Sequence, residues 1–174
     1  VIGSDVVTMG NATTGTFTQK SVGTGVAVTT AMTISGTDAG NYTVTQPSGL
    51  QANITTKELT IGGSFTAQDK EYDGNTTATI NVNNLTLTGP ISGDEISLTG
   101  IMIAFANADI GNDKTVSITA ASLDGADKNN YTLSLEGSPT TTASITVSPS
   151  TTFTVTYSVV GGNGSLAASV DGSP

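Results

Sequence analysis

The chain contains one segment twice, and this self-match constrains the fold more than any other feature. Residues 34–44 follow the pattern Ile-x-Gly-x-Asp-x-x-Asn-Tyr-Thr-Val, and residues 123–133 follow Leu-x-Gly-x-Asp-x-x-Asn-Tyr-Thr-Leu with the same spacing. The match extends to Asp5-Val6-Val7 with Asp94-Glu95-Ile96, and to Ala52-x-Ile54-Thr55 with Ala143-x-Ile145-Thr146. A chain that matches itself in this way is expected to fold as an array of similar units.

The self-match predicts three segments. We expect residues 1–56 to be the C-terminal part of a first repeat and residues 57–147 to be a complete repeat. Residues 148–174 would be a linker and the first strands of a third module. Below, residues 1–56 are called the first copy and residues 57–147 the second copy. A repeat of about 90 residues can bury a small core of its own, whereas the shorter first copy should have an unpaired sheet edge.

Apolar and polar residues alternate with a period of two, which is typical of half-buried β-strands. Threonine, a strand-favouring residue, makes up roughly a fifth of the chain. The alternating stretches include Leu59/Ile61, Ala78/Ile80/Val82, Ile96/Leu98, Val116/Ile118, Tyr131/Leu133/Leu135 and Ile145/Val147. The sequence therefore predicts an all-β chain of tandem small β-domains, with an immunoglobulin-like sandwich favoured. The alternative is a β-grasp-like fold with one short helix, for which residues 101–108 are the candidate.

Composition excludes several classes of function. The chain has no Cys and no His, so it lacks a thiolate nucleophile, an imidazole base and the usual zinc ligands. The net charge of −9 argues against nucleic acid as a partner, because phosphate binding needs clustered basic residues. No apolar run approaches the ~20 residues of a membrane span, so we expect no membrane insertion in this segment. The expectation is a protein that is not an enzyme and carries no cofactor.

The repeated Asp-to-Tyr motif resembles the tyrosine corner of immunoglobulin-like sandwiches, in which the phenol binds upstream backbone. Glycine and asparagine would supply positive φ angles, and the Asp carboxylate would close a local Asx-turn. Asp-Gly in Tyr72-Asp73-Gly74 is a strong turn signal, and Tyr72 should pack on the following strand. These structural-motif residues are Gly36, Asp38, Asn41, Tyr42, Tyr72, Asp73, Gly74, Gly125, Asp127, Asn130 and Tyr131. Ligand binding by the same loops is the alternative interpretation.

Two acidic loops are candidates for calcium binding, although neither has the ligand spacing of an EF-hand. The candidate ligands are Asp109, Asp113, Asp124 and Asp127. Turns and solubility are the simpler explanation for these residues, so the expectation is no metal site. A Lys–Asn isopeptide bond would need Lys70 or Lys114 to meet an asparagine beside Glu71 or Glu95. Surface lysines on edge strands are the simpler expectation, because this chemistry requires a buried lysine and Lys114 has no lysine counterpart in the other copy.

The residues from Lys70 onward resemble a known family. Lys70-x-Tyr72-Asp73-Gly74-x-Thr76-x-Ala78, then Gly93-Asp94, Gly111 and the repeated Asp-to-Tyr motif, are similar to the YDG repeat of large bacterial surface proteins and to the related MBG modules. Residues 153–164 resemble the opening of a divergent internalin-type B-repeat. The resemblance implies secretion, tandem arrays and a role in adhesion or surface architecture. It implies no catalytic residues.

These observations predict a structural or adhesive module at the bacterial cell surface, outside the cell, that acts as a semi-rigid stalk. The short linkers at residues 55–57 and 148–150 would limit bending between units. Its partners would be neighbouring repeats of the same chain, with a host glycan or protein reached through other domains. The alternative is a binding module that itself recognises a host glycan or protein.

Overall fold

The computed structural model describes residues 1–149, which form twelve β-strands and two short 3-10 turns. The first copy holds β1 (Thr8–Gly10), β2 (Thr16–Phe17), β3 (Gly23–Thr29), β4 (Thr33–Ser35) and β5 (Gln51–Ile54), with a 3-10 turn at Ala39–Asn41. The second copy holds β6 (Lys57–Ala67), β7 (Lys70–Glu71), β8 (Ile80–Thr88), β9 (Ser97–Phe105), β10 (Gly111–Asp124), β11 (Tyr131–Ser134) and β12 (Thr140–Thr146), with a 3-10 turn at Lys128–Asn130. The prediction of an all-β chain is confirmed.

The second copy consists of two sheets. One has the strand order β7-β12-β10-β9 and the other has the order β11-β6-β8. Most neighbouring strands are antiparallel, but β11 runs parallel to β6 and β12 runs parallel to β7. The parallel pairs join strands far apart in sequence, so the last strands of the copy close both sheets against its first strands.

The core of the second copy lies between these sheets. In the main core cluster, Ile61 and Phe65 come from β6, and the other six buried side chains come from the other sheet. That second group is Ile103, Phe105, Val116, Ile118, Ala143 and Ile145. They occupy alternate positions along their strands, because successive side chains of a strand point to opposite faces of the sheet. Each fully buried large side chain of this kind stabilises the fold by about 1.5–3 kcal/mol.

The first copy forms two smaller sheets, β1-β4 and β2-β3-β5. Val26 is its one buried apolar residue within the described part of the chain, and Phe17 remains 40% exposed. The strands β6 and β8, which supply one wall of the second core, have no counterpart among residues 1–56. Among residues 1–149, no strand of the first copy pairs with a strand of the second.

Residues 101–108, the helix candidate of the β-grasp alternative, lie in β9 and the turn that follows it. Their alternation places Ile103 and Phe105 in the core and leaves Met102 63% exposed, which is the pattern of a strand. Neither 3-10 turn, nor any other helix in residues 1–149, has the length and apolar character of a membrane span. The B-repeat-like stretch at 153–164, and nearly all of the predicted third module, lie outside the described residues.

Candidate functional site

Each copy contains a loop that crosses an upstream backbone segment at very short range. The loop glycines Gly36 and Gly125 have φ angles of 123° and 116°. A Cβ at Gly36 would lie 2.2 Å from the carbonyl oxygen of Val6, and a Cβ at Gly125 would lie 2.2 Å from that of Glu95. Only glycine tolerates both this backbone conformation and this approach. The repeated glycine is therefore required by close backbone contact.

An aspartate two positions after each glycine forms hydrogen bonds with the upstream residue that the glycine contacts. The Oδ2 atom of Asp38 accepts a hydrogen bond from the Val6 N–H at 2.8 Å, and Asp127 Oδ2 accepts one from the Glu95 N–H at 2.9 Å. The amides of the two aspartates donate back to the carbonyl oxygens of Val6 and Glu95, at 3.3 and 3.1 Å. The prediction of a local Asx-turn was wrong, because the carboxylate partner lies 32 positions away.

The repeated tyrosines join a second aspartate to this arrangement. Tyr42 donates its phenolic O–H to Asp5 Oδ2 at 2.8 Å and accepts the Ile2 N–H at 2.8 Å. Tyr131 donates to Asp94 Oδ2 at 2.7 Å and accepts the Ile91 N–H at 3.0 Å. The sequence motif identified the tyrosines as structural residues but did not include Asp5 and Asp94. The match of Asp5 with Asp94 between the two copies could have indicated them. We call Asp5, Asp38, Asn41 and Tyr42 the Tyr42 corner, and Asp94, Asp127, Asn130 and Tyr131 the Tyr131 corner.

A lysine of the first copy binds the Tyr131 corner of the second. Lys20 Nζ lies 3.1 Å from Asp94 Oδ1 and 3.4 Å from Asp127 Oδ1. The Lys20 side chain is 71% exposed, whereas the two carboxylates are only 11% and 17% exposed. Close by, the Val22 N–H donates to Asn130 Oδ1 at 3.0 Å. We call these contacts, made by Lys20 and Val22, the inter-copy joint; the sequence interpretation had not identified Lys20.

The joint shifts the ionisation of its members. The hydrogen bond from Tyr131, and next that from Lys20, hold the pKa of Asp94 below its usual value. The hydrogen bonds to Asp94 and Asp127 raise the pKa of Lys20. Burial, followed by the bond to Asp94, raises the pKa of Tyr131. The Lys20 ammonium group therefore stays charged beside the carboxylates of Asp94 and Asp127, because opposite charges favour each other's charged forms.

A cavity of about 180 Å³ opens beside this ion cluster. Its lining comes from both copies: Lys20, Val22, Ile54, Thr55, Lys57, Ile91, Asp94, Asn130 and Tyr131. The joint is therefore incompletely packed, and its contacts are mainly polar. Polar contacts of this kind orient two units relative to each other more than they add to their stability.

Acid should weaken the Tyr131 corner. Because the pKa of Asp94 is lower in the folded chain than its ordinary value, the unfolded chain takes up a proton first on acidification. The stability contributed by this carboxylate is thus present above pH ~4 and is lost as pH falls through the folded pKa. We expect Asp94→Asn to flatten the fall in unfolding free energy between about pH 5 and pH 2, measured by urea unfolding. Asp109→Asn is the control, since Asp109 makes no ion pair among the described residues. An unchanged slope in Asp94→Asn would contradict the expectation.

The Tyr72-Asp73-Gly74 motif forms a turn held by Lys70. Lys70 Nζ contacts Asp73 Oδ1 at 2.7 Å, the Asn75 carbonyl oxygen at 2.8 Å and Asn75 Oδ1 at 3.1 Å. It also lies 5.7 Å from the centre of the Phe105 ring. The hydrogen bond from Lys70 is the main cause that lowers the pKa of Asp73. Tyr72 was expected to pack on the following strand, but its side chain is 52% exposed.

The four calcium candidates are not brought together. Asp127 contacts Lys20, and Asp124 contacts Lys128 Nζ at 3.1 Å, which lowers the pKa of Asp124. Asp109 and Asp113 lie in the turn before β10 and at its start. In the part of the chain that the structure describes, no three acidic, His or Cys side chains converge as a metal site would require.

The lysines considered for an isopeptide bond each meet an asparagine through its amide oxygen. Lys70 donates to Asn75 Oδ1, and Lys114 donates to Asn107 Oδ1. The carboxylate of Glu71 accepts a hydrogen bond from the Ser148 hydroxyl at 2.9 Å, while the backbone of Glu95 is bound by Asp127. Glu71, one of the two acids expected to promote the bond, is therefore engaged elsewhere.

Comparison with known proteins gives one match. The model of the YDG domain matches residues 1–49 and 55–143, which together cover most of the chain and include both corners. No protein with a curated description matches the chain, and no solved structure matches it. From the matched residues, the chain belongs to the YDG domain family.

Proposed function

We propose that this chain is a structural repeat module of a bacterial surface protein and forms a semi-rigid segment of its stalk. The observation that carries the proposal is the inter-copy joint. Two copies connected only by a short linker could rotate about it, but Lys20 and Val22 contact the Tyr131 corner directly. Such contacts restrict the angle between units, which is what a stalk requires.

The composition supports a place outside the cell. The chain has no Cys, is strongly acidic with a pI near 4.1, and has many threonines that keep the outer faces of its strands polar. We also propose that each complete repeat is an immunoglobulin-like sandwich. Two facing sheets over one core and a tyrosine that binds upstream backbone both support this assignment.

The stalk proposal predicts that the two copies tumble together in solution. Residual dipolar couplings of both copies should fit one alignment tensor, and Lys20→Met should separate the two tensors because it removes the cation of the joint. Lys128→Met is the matched control, since Lys128 pairs with Asp124 inside the second copy. The melting temperature of the Lys128→Met variant should change little, because its ion pair with Asp124 is exposed and such pairs contribute little stability.

Independent tensors for the two copies in the unsubstituted chain would contradict the stalk proposal. Equal effects of Lys20→Met and Lys128→Met would show that the joint does not set the angle between the copies.

A second candidate function is a binding module that itself recognises a host glycan or protein. The half-exposed ring of Tyr72 favours it, because exposed aromatic rings provide contact area for such ligands. A glycan that shifts the Tyr72 ring signals in NMR spectra, without shifting those of Tyr131, would support this second function.

A further inference from the structure

We propose that the Tyr42 corner is a second joint surface, which accepts the lysine-bearing loop of a preceding repeat of the same kind. This inference rests on the stalk function proposed above and extends it. The inter-copy joint would then have a counterpart one repeat upstream, provided that the preceding repeat carries the lysine loop of the first copy and not the Ala108-Asp109-Ile110 loop of the second. The partner is a loop with the chemistry of Lys20-Ser21-Val22: an ammonium group followed two residues later by a free backbone N–H.

The two corners have the same internal bonding. In each, one aspartate Oδ2 accepts from the tyrosine and the other accepts from an upstream backbone N–H. These bonds hold both carboxylates in place before any partner arrives. Each residue of the Tyr131 corner lies 89 positions after its counterpart, as for Asp5 and Asp94 or Tyr42 and Tyr131. The acceptor geometry is thus built twice in the chain.

The corners differ in what occupies the remaining carboxylate oxygens. In the Tyr131 corner, the Oδ1 atoms of Asp94 and Asp127 bind Lys20. In the Tyr42 corner, the Oδ2 atoms of Asp5 and Asp38 are used internally, and neither aspartate has a lysine partner among residues 1–149. Asp5 and Asp38 are both half-buried, like the two carboxylates that Lys20 bridges in the other corner. The Tyr131 corner shows which cation fits such a site: the ammonium group of a lysine.

The asparagine of the corner identifies the partner as a loop rather than a free ion. Asn130 Oδ1 binds the Val22 amide two residues beyond Lys20. Asn41, its counterpart, is exposed and follows Asp38 at the same spacing of three residues. In the Tyr131 corner this amide oxygen is used by a backbone N–H of the same loop that carries the lysine. Calcium also needs six to eight oxygen ligands, more than two aspartates supply.

The test is an extended chain in which residues 1–89 are repeated ahead of Val1. Pro90 is the counterpart of Val1, so the added residues 57–89 supply the first copy with its β6-to-β8 segment in register. Lys20 and Val22 of the added segment then face the Tyr42 corner. Segmental isotope labelling allows the two Val22 amides to be followed separately by hydrogen exchange.

We expect both Val22 amides to exchange at least about tenfold more slowly than an unbonded amide, because each is held in a joint. Asn41→Ala in the original segment should restore fast exchange only at the Val22 amide of the added segment. Asn130→Ala should restore fast exchange only at the Val22 amide of the original segment. Lys20→Met in the added segment should likewise release only the added Val22.

The outcomes separate the two proposals. Fast exchange of the added Val22 beside a protected original Val22 overturns the recurrent joint and leaves the stalk proposal standing. Fast exchange of both overturns the two together. An extended chain in which Phe17 of the completed copy stays exposed also overturns the recurrent joint, because the added strands would then not have completed the repeat.

Discussion

Gly125→Ala should destabilise the second copy by about 3 kcal/mol or more. A methyl group at this position would lie 2.2 Å from the Glu95 carbonyl oxygen and 2.8 Å from its carbon, and both are backbone atoms. The φ angle of 116° adds strain, since it lies well outside the left-handed region near +57° that other residues occasionally adopt. Relief would require the loop to leave Glu95, which would also break the two Asp127 hydrogen bonds.

The control for this substitution is Gly137→Ala. Gly137 also has a positive φ angle, 69°, but a Cβ there would meet nothing within 4 Å. It should lose only about 1 kcal/mol, the cost of the left-handed conformation. Urea unfolding, followed through amide signals of the second copy, measures both variants. Equal losses in the two variants would mean that the close approach to Glu95 contributes nothing.

Phe105→Ala should cost the second copy about 3–5 kcal/mol. Phe105 is 3% exposed and lies in the core between the two sheets, so its loss leaves a cavity that neighbouring strands can only partly fill. The ring also lies under Lys70 Nζ, so the variant removes a contact that helps to position the Tyr72-Asp73-Gly74 turn. The amide signals of Asp73 and Gly74 should therefore shift in the folded variant.

Phe17→Ala provides a matched comparison inside the same chain. The repeat places Phe17 near the position of Phe105, but its side chain is 40% exposed. We expect a loss below about 1.5 kcal/mol, measured on amide signals of the first copy. The two copies are followed separately because they need not unfold in one transition. A loss at Phe17 as large as that at Phe105 would contradict the difference in burial between the copies.

Most strands of the second copy could be predicted from the sequence because their signal is local. Alternation along β6, β9, β10 and β12 reflects which side chains face the core, and that periodicity is visible without knowing what lies opposite. Element ends were less accurate. Leu135 and Val147 were assigned to strands, but β11 ends at Ser134 and β12 ends at Thr146.

The exposure of Tyr72 illustrates a different failure. Its place beside an Asp-Gly turn suggested a ring packed on the next strand, yet it is Lys70 that organises the turn. Lys70 lies against Phe105, a residue 35 positions further along the chain. Sequence patterning does not contain this information, because the contact depends on how β7 and β9 are placed in the same sheet.

The repeated glycine, aspartate and tyrosine of the two corners were visible from spacing alone, since close backbone approach and positive φ select glycine wherever the loop is built. Their partners were not visible. Asp127 binds a residue 32 positions away, and Lys20 contacts Asp94 across 74 positions. Hydrogen bonds and ion pairs act over a few ångströms, so only the folded arrangement of strands determines which distant groups come within that range. The repeat could thus be recognised in the sequence, while the joint between its copies emerged from the tertiary structure.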